Sequence, residues 1–179
     1  VRKMKIGCAA LYPITRYGFP YSLDNYLKAI AEIRAAGFDA CELEINVDVD
    51  LDEYIRRIDE VRATLDKNHM TLSAVIGVVQ QAFSTDRAAA DETLGRFERL
   101  CQFIEEVGGD TACICAYMPK EIEGVPGTEM YHGGPPLQVR VPRGFDWNVF
   151  WDNAVARFGR MARLAANHGQ RLVIVAKLL

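Results

Sequence analysis

One junction recurs along this chain and limits its architecture more than any other feature. "AAGFDACELE" (35–44), "VGGDTACICA" (107–116) and "NHGQRLVIVA" (167–176) each carry an amphipathic helix through a glycine or polar turn into an apolar strand. Strands that are apolar at nearly every position are buried on both faces, and their alternation with amphipathic helices marks βα units. Such units build parallel sheets covered by helices. Right-handed crossovers then give either an open doubly wound sheet or a closed (β/α)8 barrel.

The other elements follow from periodicity. Strands are predicted over 3–11, 38–45, 71–79 and 110–118, with a fifth in "RLVIVAKLL". The first helix, "SLDNYLKAIAEIRAAG", takes Ser22 as N-cap and Gly37 as its stop, with Leu23, Tyr26, Leu27, Ile30 and Ile33 as its apolar stripe. The second, "LDEYIRRIDEVRATLDKN", is capped by Asp50 or Asp52 and turns Ile55, Ile58, Val61 and Leu65 inward. A third spans about Thr85 to Val107, ending at Gly108-Gly109. The fourth starts from an Asp146 cap, with Trp147, Phe150, Trp151, Ala154, Phe158, Met161 and Leu164 inward. Residues 119–145 break the rhythm: they are rich in Pro and Gly, lack periodicity and read as one long loop. The expectation is a single α/β domain over 1–179, with about five parallel strands and four helices.

Composition narrows the function classes. With 179 residues and 50% hydrophobic residues the chain can bury a core. A net charge of −3 leaves no overall basic footprint for nucleic acid. The apolar runs are strand-sized, so no membrane span is expected. The basic start "VRKMKIGCAALYP" reads as a first strand rather than a signal peptide. Five cysteines, four of them in strand-like stretches, read as free thiols in a reducing cytoplasm. Cys113-x-Cys115 is not a paired-ligand motif, and packing is its expected role. There is no GxGxxG after the first strand and no GxxxxGK[ST], so nucleotide-binding versions of the open sheet lack support.

The order of the pieces is informative: "KIGCAALYP", "AIAEIRAAGFDACELE", "LSAVIG", "FIEEVGGDTACICA" and "FWDNAVARFGRMARLAANHGQRLVIV". Together they resemble the xylose-isomerase-like TIM-barrel superfamily, the sugar phosphate isomerase/epimerase group. The resemblance covers nearly all of the chain and implies a (β/α)8 barrel, here an incomplete one. It also implies a divalent metal (manganese, magnesium, cobalt or zinc) at the C-terminal mouth and a small sugar, sugar phosphate or polyol as substrate. In that group the fifth strand reads like "LVIE", and its Glu binds the metal. Here the position is Val175, which cannot ligate a hard cation. The group's other ligands come from strands six to eight, so the chain is expected to supply no metal ligand. A truncated or frame-shifted barrel, or a half-barrel closing on a second copy, would leave strand edges exposed and favour homo-oligomers.

In such barrels the working residues lie at the C-terminal strand ends and in the loops that follow. That selects Tyr12, Glu42, Glu44, Asn46, Gln80, Gln81, Tyr117, Glu129, His132 and Arg143. Tyr12, Glu44, Tyr117 and His132 are the expected substrate-binding set. Glu42 and Glu44 are two apart and share a strand face, where carboxylates need partners or water. The plainer role for Glu42 is an internal ion pair, for the tyrosines rim packing, and for His132 an exposed loop position. His69 and His168 fall at helix ends on the opposite face.

The resemblance implies a metal-dependent isomerase or epimerase that moves a proton next to a carbonyl. No catalytic residue is assignable, and the chain is expected to be inactive alone. A dehydratase acting on a polyol is a neighbouring reading. A non-catalytic half-barrel scaffold is the alternative. An abasic-site endonuclease-like hydrolase is disfavoured, because only three His occur and the charge is acidic.

Overall fold

The computed structural model describes residues 6–45, 48–79, 82, 84–116, 121–126, 135–136 and 138–176. Five strands, β1 (Gly7–Cys8), β2 (Ala40–Ile45), β3 (Thr71–Val78), β4 (Thr111–Ala116) and β7 (Arg171–Ala176), form one sheet in the order β1-β2-β3-β4-β7. Every neighbouring pair in it is parallel. Helices α1 (Leu11–Tyr17), α2 (Leu23–Ala35), α3 (Asp48–Arg56), α4 (Ile58–Lys67), α5 (Arg87–Glu106) and α6 (Trp147–Asn167) occupy the connections. This is the expected alternation of strands and helices.

The recurrent junction has one geometry. Gly37, Gly108 and Gly169 have φ of 96°, 77° and 68°, in the left-handed region that a side chain disfavours. Each lets the amide one residue on bond a carbonyl five residues back: Phe38 to Ile33, Gly109 to Ile104, Gln170 to Ala165. The helix is thereby closed and the chain turned into its strand. A fourth copy ends α4. There His69 takes the left-handed place at φ 52°, and the Met70 amide bonds the Leu65 carbonyl at 2.9 Å.

Several expectations are corrected. The first strand ends at Cys8, and Leu11 already belongs to a helix. Pro13 suits that short helix, because its missing N–H falls in the first turn, where no intrahelical acceptor exists. The second helix is two pieces, broken at Arg57 (φ −110°, ψ 28°). The Arg57 guanidinium binds Glu53, Glu60 and, on α2, Asp24. Asp50 and Asp52 lie inside α3 rather than at its cap. The α5 cap is Asp86, whose carboxylate accepts the Ala88 and Ala89 amides. The Ser22 and Asp146 caps stand as read. The long loop holds a two-stranded antiparallel ladder, β5 (Glu123–Gly124) with β6 (Val139–Arg140).

The core lies where helices cover the sheet. Ile30 and Ile33 of α2 and Phe97, Leu100, Phe103 and Ile104 of α5 are buried with Leu43 of β2, Val75 of β3 and Ile114 of β4. Burying each such side chain is worth about 1.5–3 kcal/mol against exposure. On α6, Ala154, Met161 and Ala165 are buried. Trp147 and Trp151, expected inward, are instead 54% and 65% exposed. Trp147 packs edge-on against Phe145 and Phe150 rather than against the sheet. Among the described residues β7 pairs only with β4, and Val173, Ile174 and Val175 stay exposed.

Candidate functional site

Parallel register decides which strand residues face together. Glu42 lies opposite Ala74 and Glu44 opposite Ile76; Ile76 lies opposite Cys113, and Cys113 opposite Val173. Cys115 and Val175, two residues further on, are also partners and continue the same face. The two glutamates, the Cys113/Cys115 pair and Val175 therefore line one side of the sheet. Cys41, Leu43 and Ile45 point to the helix side and are buried. The register slips between β2 and β3, where Cys41 and Glu42 face Leu72 and Ala74. Ser73 is the extra residue, and its hydroxyl donates to the Cys41 carbonyl at 3.2 Å.

Each glutamate is tied to neighbouring chain in its own way. The Glu42 carboxylate accepts the Ala10 amide at 3.2 Å, at the residue that precedes α1. It thus closes the β1–α1 turn against β2. Its charge, with burial as the larger cause, pushes the Cys8 thiol up. The Glu44 backbone carbonyl accepts the Tyr21 hydroxyl at 3.0 Å. Glu44 lines a crevice at the C-terminal end of β2 with Phe19, Pro20, Tyr21, Asp50, Glu53 and Tyr54. Burial first pushes the Tyr21 and Tyr54 hydroxyls up, followed by Glu44 for Tyr21 and by Tyr21 and then Asp50 and Glu53 for Tyr54, so both remain protonated donors at neutral pH. The Tyr26 hydroxyl donates to the Glu42 carbonyl at 3.2 Å and stacks its ring on Tyr21 at 6.4 Å.

Tyr12 sits in the first turn of α1, and its hydroxyl donates to Glu32 of α2 at 2.9 Å. It braces the two helices there. Tyr117 and His132, and with them Asn46, Gln80, Gln81 and Glu129, lie outside the described residues. Arg143 is exposed. His168 closes α6 and its Nδ1 meets Glu105 at 2.6 Å, at the opposite end of the strands from the crevice. Of the two members of the expected set among the described residues, Tyr12 and Glu44, the structure brings Glu44 to a crevice. Tyr21, Asp50 and Tyr54 were not singled out from sequence. A signal for Tyr21 existed: it precedes the Ser22 cap and meets Tyr26, four residues past that cap, as a hydrophobic staple.

The crevice holds only about 10 Å³, the room of one water molecule, so a sugar could meet Glu44, Asp50 and Glu53 only at its mouth. A divalent metal does not fit the described residues. No group of three or more His, Cys, Asp or Glu among them is arranged to hold one. The position facing Cys115 on β7 is Val175, and thiols suit softer ions than magnesium or manganese. No helix among the described residues is long and apolar enough to cross a membrane.

No protein-family model matches the sequence, and no curated protein matches it. Solved structures do share its fold. An L-ribulose 3-epimerase matches at a TM-score of 0.64 with 17% identity, over 95% of this chain and 48% of its own. A D-psicose 3-epimerase crystallised in the presence of D-fructose matches at 0.66 with 16% identity, over 96% of this chain and 52% of its own. A xylose isomerase-like TIM barrel protein from Mycobacterium smegmatis, in complex with magnesium, matches at 0.58 with 16% identity, over 87% and 47%. The chain spans about half the length of these structures. Its five parallel strands and helices have the fold of a partial TIM barrel of this kind.

Proposed function

We propose that this chain is the sugar-binding part of an isomerase- or epimerase-type barrel, taking a small sugar, sugar phosphate or polyol at the C-terminal end of its strands. The observation that carries the reading is the placement of Glu44. It stands at the end of β2 on the face it shares with Cys113 and Val175, in an aromatic and acidic crevice, within a fold matched by sugar epimerases. In this reading Glu44 accepts ligand hydroxyls, and Tyr21 holds the Glu44 main chain so that the carboxylate keeps its direction. Tyr117 and His132 belong to the same proposed binding set, with Tyr12 bracing α1 beside it. Proton transfer next to a carbonyl needs an acid–base pair and an electrophile, and the described residues provide no metal-binding group for the second task. The chain therefore binds ligand and is inactive by itself. It is soluble and cytoplasmic in this reading, and its open strand edges draw copies together.

Two-dimensional NMR of the chain titrated with D-fructose tests this. Amide shifts at 42–45 and at Phe19, Tyr21 and Ser22 should move saturably, and Glu44→Gln should weaken binding about tenfold, as for loss of a charged hydrogen bond. Unmoved shifts at these positions, at sugar concentrations far above a millimolar dissociation constant, would refute the assignment.

A further inference from the structure

Arg157 lies on α6, remote in sequence from the end of β3, yet its side chain reaches the segment that follows β3. Its Nη1 donates to the Ala82 carbonyl at 2.7 Å and to the Ser84 carbonyl at 2.5 Å. That nitrogen carries two hydrogens, one for each oxygen. Ala82 and Ser84 are both 0% exposed, so a carbonyl left without this donor would face the cost of an unmet buried acceptor. The same segment is gripped from its other side. Glu121, just after β4, accepts the Thr85 hydroxyl at 2.7 Å and the Thr85 amide at 3.2 Å. The Asp86 amide donates to Ser84 Oγ at 3.1 Å, and Asp86 caps α5. Burial disfavours the charged guanidinium, while Asp91 and Glu121 favour it and Arg160 opposes it. The segment after β3 is thus held from α6 by Arg157 and from the far side of β4 by Glu121.

We infer that Arg157 is a positioning residue: through the Ala82 and Ser84 carbonyls it clamps the segment after β3 to α6 and presets the rim at the C-terminal end of the sheet. The clamp is a property of the fold. Its use, presenting a ready-made rim to a polyhydroxylated ligand, rests on the function proposed above. A preset rim spares a ligand the cost of ordering that segment on binding.

The test is hydrogen exchange on the whole chain, comparing wild type with Arg157→Gln and Arg157→Lys, together with D-fructose titration. In Arg157→Gln, amides of 84–86 should exchange roughly tenfold faster or more, while β2 and β3 keep their protection. Arg157→Lys keeps the charge and a nitrogen able to donate to both carbonyls, but it is shorter and lacks the rigid planar head, and should fall between wild type and the Gln variant. Millimolar guanidinium should restore slow exchange in Arg157→Gln, which a merely bulky packing role would not allow. D-Fructose should bind the Gln variant several-fold more weakly, with partial recovery in the Lys variant. Unchanged exchange at 84–86, or faster exchange spread evenly over the chain, would overturn the clamp. If Arg157→Gln does not fold, the Lys variant and its exchange pattern decide the question alone. If the segment loosens as stated but wild type shows no response to D-fructose, the clamp stands and the sugar reading fails.

Discussion

Gly77 sits in the central strand of the sheet beneath α5, and the space above it is already taken. A Cβ built there would lie 2.5 Å from Leu100 Cδ2, and Leu100 is itself 3% exposed. Ordinary carbon contacts are near 3.5–4 Å, so Gly77→Ala is short by roughly one ångström. Leu100 must leave its rotamer or α5 must lift, and overpacking of this kind costs about 1–3 kcal/mol. Against it stands a gain of about 0.5–1 kcal/mol from replacing glycine within a regular element. The net expectation is a loss of about 1–2 kcal/mol. Leu100→Ala alone should cost about 2–5 kcal/mol by leaving a cavity. In the Leu100→Ala background the obstructing methyl is gone, so Gly77→Ala should be neutral or stabilising. The two changes therefore couple by about 1–3 kcal/mol. Urea denaturation of the four proteins, followed by far-ultraviolet circular dichroism with unchanged m values, measures this directly. Additive effects would show that Leu100 is not what Gly77 makes room for, and the reasoning would fail.

Three further outcomes are expected. His69→Gly should stabilise the chain by a few tenths of a kcal/mol, since relief of the left-handed conformation slightly exceeds glycine's added chain entropy; a drop in the thermal midpoint would contradict this. The Asp91 carboxyl is held below its ordinary value by the Arg160 hydrogen bond, and that of Asp110 by Thr111 and then Arg171. Depressed carboxyls contribute stability above their unfolded value of 3.8 that disappears as pH falls through the folded values, so Asp91→Asn and Asp110→Asn should flatten the acid limb of the urea midpoint against pH. Concentration-dependent association in sedimentation velocity should weaken in Ile174→Lys, which charges the exposed β7 strand; identical profiles would place association elsewhere.

The parallel order was legible because each glycine junction writes its own end signal: Gly37, Gly108 and Gly169 all take the positive φ that their place after a helix requires. The helix end and the strand at the fourth junction were also legible, but its kinship with the other three was not, because His69 takes the left-handed place without being glycine. The start of α1 was hidden for a different reason. "CAALYP" is apolar throughout, so strand and helix look alike there, and only the turn closed by Glu42 onto the Ala10 amide separates them. The Arg57 break depends on Asp24 from another helix, a contact with no local trace. The site divides in the same way. Glu44 stood out as a charge on an apolar strand. The crevice beside it is assembled from 19–23, 44 and 50–54, which only the folded chain brings together.

Position 175 joins the two levels of argument. The resemblance places a metal-binding Glu there, and the register sets Val175 opposite Cys115, on the face that Glu44 also shares. That placement says what one substitution can do. Val175→Glu would put a single carboxylate next to a thiol. Hard divalent cations are held by several oxygen donors, and none of the described residues completes such a set. The variant should therefore fold, since residue 175 is exposed on β7, yet bind no stoichiometric metal after dialysis against manganese or magnesium. Elemental analysis reads the outcome. One equivalent of metal retained by Val175→Glu would mean that other residues of this chain turn donors toward β7, and the expectation would be refuted.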